Sequence, residues 1–474
     1  MRAHSFHRGT ALLVAGAFFM ENLDGTIIQT AAPAMASSLG VRATDINLAM
    51  VAYLMTVAVI IPATGWLADR FGTRRVFEVA VVLFTLSSLA CALSPSLGFL
   101  VAARVVQGVG GALMVPVGRL VILRTTAKAD LLPAFAYLTW PGLVAPVLAP
   151  VVGGFLAQTV GWEWIFLINV PLGVLALVAG RWLLPRSEAL SRPRFDGWGF
   201  GILACGLAAV TAGAELLGSG SSSSSVHDGA GTSSAAGLAW GFVVLAIGVA
   251  LCALAVWLMR RSSSPLLHFG ALKFASFRVG NVSGSVYRLL ISALPFLVTL
   301  WLQVGLDYSP VAAGAMVIAI FVGNIAIKPL TTPIIRFFGF KTTLVVSNLV
   351  GLLIIAVFAW LGSGVAVVGV LVLLFFSGVF RSIGFSAYNT VQFVDVPAEA
   401  MNGANTLSST LQQVGTALGI ATVTLAVRVG QGVSPSMNGA FSAAFLIAAA
   451  IMLIPLVGSL LMPRGTGDEA TSRT

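Results

Sequence analysis

Two carboxylates stand alone in a long apolar stretch near the start of the chain: Glu21 and Asp24. Spaced three apart, they share one face of a helix. A charge near the centre of a bilayer costs about 2.5–3.5 kcal/mol on insertion scales, so such residues usually serve a function. Two acids in a poorly hydrated site titrate as a coupled pair, which suits them to carry a proton. Arg104, inside another apolar segment, is placed to pair with that cluster or to relay protonation to it. Arg288 and Arg381 fall inside apolar segments as well. A guanidinium stays charged at any working pH. If Arg288 faces the two acids in one conformation and leaves them in another, it can unload and reload a proton. The competing reading of these charges is a static ion pair. Lys328 reads as a snorkelling, structural cation. Gln107, Tyr53, Trp140 and Arg381 are the candidates for substrate contact.

The elements that must position these residues are membrane helices. The 474-residue chain is 58% hydrophobic and 9% charged, with a mean hydropathy of +0.99. That composition belongs to an all-α polytopic membrane protein. Cutting the apolar runs at polar turns gives about fourteen helices of roughly 20 residues each. Arg2, Arg8, Arg70, Arg74, Arg75, Arg124, Lys128, Arg186, Arg192, Arg194, Arg260, Arg261, Lys273, Arg336, Lys341 and Arg464 then fall on one face of the membrane, with little beyond Arg42 and Arg428 opposite. The positive-inside rule puts both termini in the cytoplasm of a cell whose inner membrane holds the protein. Residues 218–237 read as a Ser/Gly-rich outer loop, and 260–278 as a basic amphipathic segment along the cytoplasmic surface.

The loop Gly65-Trp-Leu-Ala-Asp69-Arg70-Phe-Gly72-Thr-Arg74-Arg75 is expected to join two helices through a sharp turn at Gly72, which tolerates positive φ. Asp69, just past a helix end, pairs there with neighbouring cations as a latch. A topology anchor alone would explain the arginines but not Gly65, Asp69 or Gly72. Residues 332–342 echo this loop when Gly339 is set against Gly72, with Arg336 standing where Asp69 stands. The echo implies a six-helix N-terminal half (1–190), a two-helix insertion (191–262) and a six-helix C-terminal half (263–474), the repeated plan of secondary transporters.

Several classes are excluded. Cys91, Cys205 and Cys252 lie in apolar runs and read as packing residues. His4, His7, His227 and His268 have no ligand partner at metal spacing, so no metal is expected. No phosphate-binding loop, catalytic triad or Cys/His set is evident, so neither ATP drive nor enzymatic activity is expected. The +10 net charge follows membrane topology and does not point to nucleic acid. The first apolar run is too long for a signal peptide and carries two acids, so it reads as an uncleaved span.

With these residues quoted, the chain resembles the fourteen-span drug:proton antiporters of the major facilitator superfamily, and most closely their MdtD-like branch of bacterial multidrug exporters. Leu23-Asp24-Gly25-Thr26-Ile27-Ile28 with Ala32-Pro33 is similar to the first-span motif. The 65–75 loop resembles the superfamily loop between spans two and three, with Thr73 where a basic residue is common. Arg104-Val-Val-Gln107-Gly108-Val-Gly110-Gly111 resembles the fourth-span motif, and the stretches from Trp162 to Gly173 and from Arg194 to Asp196 are similar to others of the family. In the fifth span, Pro146, Pro150, Gly153 and Gly154 resemble the exporter motif, with Ala145 and Ala149 where glycines are common. Pro141, Pro146 and Pro150 bend such a helix into a pliable seal.

The resemblance implies the major facilitator fold and a monomeric transporter driven by the proton gradient, with no cofactor; it favours Asp24 as the proton carrier, with Glu21 tuning it or meeting a cationic substrate. The transporter would export small amphipathic organic compounds by alternating access in exchange for protons, within the lipid bilayer. The alternatives are a proton-coupled importer or exporter of a specific metabolite, and a non-transporting sensor or channel.

Overall fold

Apolar runs of this length have no way to satisfy backbone polar groups in lipid except as helices. The computed structural model describes residues 8–185, 194–219, 231–262, 264–362, 365–434 and 436–471. Its regular elements there are helices, with no strand among the described residues. Arg2, Arg186, Arg192, His4, His7, His227 and most of the Ser/Gly-rich loop lie outside the described residues.

The helices run as α1 (Arg8–Leu39), α2 (Asn47–Ile60), α3 (Thr64–Phe71), α4 (Thr73–Ala92), α5 (Leu97–Thr125), α6 (Leu131–Thr159), α7 (Trp164–Leu167), α8 (Asn169–Leu183) and α9 (Gly197–Ser219). They continue as α10 (Gly231–Arg261), α11 (Ala275–Leu300), α12 (Pro310–Ala326), α13 (Lys328–Phe358), α14 (Val367–Val394), α15 (Met401–Val433), α16 (Met437–Leu460) and α17 (Asp468–Thr471). Among the described residues thirteen stretches are long and apolar enough to cross a membrane, and Val311–Ala326 is a shorter apolar helix beside them. The expected fourteen spans therefore correspond to these thirteen stretches, two of them built from consecutive helices (α2 with α3, α7 with α8), and one short helix.

Three local expectations are corrected. Residues 231–237 are already helical, so α10 starts inside the stretch read as loop. The 260–278 segment is divided between the end of α10, a short 3-10 turn at Phe269–Lys273 and the start of α11. Asp69 lies within α3 and not past its end, because the reversal needs a single residue: Gly72, at φ 85° and ψ 142°. Gly339 has nearly the same backbone, φ 75° and ψ 166°, inside α13. Both values lie where an L side chain is strained, and the internal echo of the two loops thus extends to the backbone.

The chain forms two compact units. Unit 1 comprises residues 1–209, 248–270 and 397–410, and unit 2 comprises 210–247, 271–396 and 411–474. In unit 1, α6 runs along α1, and α5 packs against α2 and α4. Gly110 makes the α4–α5 approach possible, since a Cβ there would sit 2.8 Å from the backbone nitrogen of Phe84. Leu23, Ile27, Ile28, Ala31 and Phe166 form part of one apolar core around the acid-bearing turn of α1. In unit 2, α14 packs against α11, α12 and α13.

Candidate functional site

Asp24, on the core side of α1, is sealed from solvent: its side chain and that of Arg104 are both 0% exposed. Arg104 Nη1 forms an ion pair and hydrogen bond with Asp24 Oδ2. Gln107, one turn along α5, accepts from Arg104 Nη1 at 2.7 Å and donates to Asp24 Oδ1 at 2.9 Å. Asn169, the first residue of α8, donates to the same Oδ1 at 3.0 Å. Ser88 of α4 accepts from Gln107 Nε2 at 2.8 Å and from Asn169 Nδ2 at 3.3 Å. Asp24 thus receives three N–H donors, an arrangement that fits a carboxylate, which only accepts. The guanidinium also lies over the Tyr53 ring, 4.1 Å from its centroid, and Nε points at the Ala49 carbonyl at 3.4 Å. Five helices of unit 1 therefore converge on one buried charge pair.

Glu21 sits one turn from Asp24 but in different surroundings. It is half-buried, and its described hydrogen bond comes from Asn22 Nδ2 at 3.5 Å. No Lys, Arg or His lies within ion-pair distance of it among the described residues. Its stem flanks Gly111, beside the Tyr53 hydroxyl, which is buried without a hydrogen-bond partner. The structure thus brings Asp24, Arg104, Gln107 and Tyr53 together, with Glu21 at the edge. Trp140 of α6 is 50% exposed on the surface of the described chain.

In the 65–75 segment Asp69 pairs with Arg124 at the end of α5, Nη2 to Oδ1 3.1 Å. Arg74 pairs instead with Glu78 at 2.9 Å and reaches the carbonyls of Arg181 and Leu184 at the end of α8. Gly65 is needed for close approach: a Cβ there would collide with Thr406 Oγ1, and its carbonyl accepts from Asn402 at 2.9 Å. A cavity of about 260 Å³ opens on this face, lined by residues including Trp66, Asp69, Arg194, His268 and Asn402. Arg70 and Arg75 remain charged residues of this segment with no described ion pair.

In α6, Pro141, Pro146 and Pro150 all lie inside one continuous helix. The two glycines of the exporter-like motif differ. A Cβ on Gly153 would collide with Thr30 Oγ1 and lie 3.1 Å from the Ile27 carbonyl, whereas one on Gly154 would meet nothing within 4 Å. In unit 2, Arg288 Nη2 donates to Asn389 Oδ1 at 2.6 Å; Lys328, read as snorkelling, is instead 5% exposed and turned inward, its Nζ donating to Ser386 Oγ at 2.8 Å. Arg381 lies 5.9 Å from the Phe321 ring centroid.

Several residues here escaped the reading of the sequence. Asn169 and Ser88 are uncharged, and nothing in their local pattern marks them as ligands of Asp24. Arg119 of α5 is a buried cation bound to Asn405 Oδ1 at 2.8 Å and to Ser409 Oγ. Its signal was available, because an arginine so close to an apolar run is unusual. Among the described residues no cluster of three or more His, Cys, Asp or Glu is placed to hold a metal ion.

Comparison with known proteins gives a consistent identity. Residues 14–420 match the model of the Major Facilitator Superfamily. "Putative multidrug resistance protein MdtD" of Serratia proteamaculans (strain 568) is 37% identical over 473 residues, covering 98% of this chain and 94% of that protein. The protein of the same name from Cronobacter sakazakii is 39% identical over 412 residues, 86% of this chain and 83% of that one. Among solved structures, the human organic anion transporter MFSD10 superposes with a TM-score of 0.65 at 15% identity, covering 95% of this chain and 99% of that one. The proton:xylose symporter XylE gives 0.65 at 13% identity, with 98% of each chain covered. These two likenesses establish the fold alone. The family match, the coverage of the relatives and the helical membrane architecture together make this chain a multi-pass transporter of the Major Facilitator Superfamily.

Proposed function

We propose that the chain is a proton-coupled secondary transporter that exports small amphipathic organic compounds, drugs among them, by alternating access. The observation that carries this reading is the contrast within one turn of α1. Asp24 is locked to Arg104 and sealed, while Glu21 is half-buried with no cation at ion-pair distance among the described residues. A sealed pair fixes a charge in the membrane, and a neighbouring carboxyl outside that pair can take up and release a proton. Protonation biases the conformational equilibrium only through unequal affinity of the two states. Protonation of Glu21 and Asp24 biases the cycle to the extent that their surroundings differ between the two states. The names of the relatives support a drug-like cargo.

In this reading the proton gradient is the drive and no bound cofactor takes part. The protein works as a monomer in the inner membrane with both termini in the cytoplasm, and it has no nucleic-acid partner. The Asp69–Arg124 pair acts as a latch that is broken and remade during the cycle. The test is transport by the purified chain in proteoliposomes, with a panel of fluorescent amphipathic compounds and an imposed pH gradient. Accumulation that collapses with nigericin supports the reading. Accumulation that ignores the gradient contradicts it.

A further inference from the structure

Acids are scarce in the membrane helices of unit 2, while cations are not. Helices α11 to α16 contain no Asp or Glu at all. In the membrane helices of unit 2 a carboxylate appears only in α9, as Glu215. Three cations of the same unit nevertheless gather on one stretch of α14. Arg381 belongs to it, Lys328 reaches it through Ser386, and Arg288 reaches it through Asn389. Residues 382, 386 and 389 share a helical face, and Arg381 lies to one side of it. The whole stretch from 381 to 389 is about 12 Å long at the rise of an α-helix. Lys328 and Arg288 are 5% and 4% exposed, so these basic side chains are interior.

Polar atoms without a partner lie at the same place. Arg381 Nη1, Ser382 Oγ and Asn324 Oδ1 are buried with no hydrogen-bond partner among the described residues. Asn324 stands where α12 and α14 touch backbone to backbone, as a Cβ on Gly378 would fall 3.0 Å from its nitrogen. Aromatic rings flank the cations: Phe385 lies 5.5 Å from Arg288 and Phe321 lies 5.9 Å from Arg381. Gathering like charges in a region of low dielectric is costly, and a bound anion removes that cost through charge-assisted hydrogen bonds.

We propose that Arg288, Lys328 and Arg381 form a recognition site for the anionic group of the transported compound, making the cargo class of this protein aromatic or amphipathic organic anions. Arg381, with a donor still free, contacts the anion directly, and the flanking rings hold the apolar body. This rests on the transporter reading above and narrows it to one charge class.

The test is equilibrium binding to the purified full-length protein in detergent, without transport. The probes are 1-naphthoate and 1-naphthalenesulfonate, with 1-naphthamide and 1-naphthylmethylammonium as neutral and cationic counterparts. The two acids should bind, and Arg381→Gln should weaken them roughly tenfold to hundredfold, the range for one lost charge-assisted hydrogen bond. Arg381→Lys should keep binding within about tenfold of the parent. Lys328→Gln should weaken the acids in the same selective way, and thermal melting without probe checks that each variant is folded. Absence of acid binding, equal binding of the ammonium compound, or a loss in Arg381→Gln shared by the amide overturns the proposal. Acid binding without any proton-driven export would overturn the exporter reading and leave this site standing.

Discussion

Asp24 and Arg104 can be tested as a pair because their two neutralised forms are not equivalent. Asp24→Asn leaves a guanidinium with 0% exposure and no counter-charge. Arginine cannot discharge itself at any working pH. The new amide would also turn an N–H toward one of the donors that now serve the carboxylate: Arg104 Nη1, Gln107 Nε2 and Asn169 Nδ2. Removing one partner of a buried ion pair costs about 3–5 kcal/mol, a shift of roughly two to three and a half decades in the folding equilibrium. Arg104→Gln strands the carboxylate instead, and a carboxylate can shed its charge by taking up a proton. Its loss should therefore be smaller, and smaller still as pH falls. The double variant Asp24→Asn/Arg104→Gln, with two neutral amides, should recover most of the loss. The assay is denaturant unfolding of the four proteins, arranged as a double-mutant cycle at pH 5 and pH 8. Additive losses in the double variant, or an Asp24→Asn loss under about 1 kcal/mol, would refute the buried-pair account.

Other expectations are simpler. Gly153→Ala should destabilise the protein and slow transport, because its Cβ would meet the α1 backbone, whereas Gly154→Ala should leave both unchanged; thermal melting and flux of the two variants decide this. Gly72→Ala places a side chain at φ 85° and should cost about 1–2 kcal/mol, read as lower thermal stability. Asp69→Asn removes a pair whose side chains are 27% and 23% exposed. Such a pair contributes about 0–1 kcal/mol after screening, so labelling of a cysteine placed at Asn402 should rise by at most several-fold. Glu21→Gln should flatten the pH profile of transport while leaving melting close to the parent, since Glu21 makes little of the buried network.

Much of this architecture is legible in the sequence because lipid leaves so few alternatives. Continuous apolar runs fix helices, and a glycine between charged residues fixes the reversal, as Gly72 and Gly339 show at φ 85° and 75°. The pairing of Asp24 with Arg104 was also within reach, because isolated opposite charges in apolar helices must find each other. Partner choice elsewhere was not. Asp69 has arginines at 70, 74 and 75 beside it, yet pairs with Arg124, 55 positions away. Its place within α3 points it at α5, and sequence distance carries no record of that. Asn169 and Ser88 were missed for a related reason: a neutral residue shows its role only when the charge it serves is in view. The gathering of Lys328 and Arg288 on α14 likewise depends on Ser386 and Asn389, residues with no distinguishing pattern of their own.

The central claim is that the first span couples proton movement to transport. Its most direct measurement is proton flux itself, followed with a pH-sensitive dye trapped in proteoliposomes while a transported compound is driven across by its own gradient. The wild-type protein should move protons opposite to the compound, and Glu21→Gln should move the compound down its gradient with no proton signal. Wild-type flux without proton movement, or an undiminished proton signal in Glu21→Gln, would contradict the account.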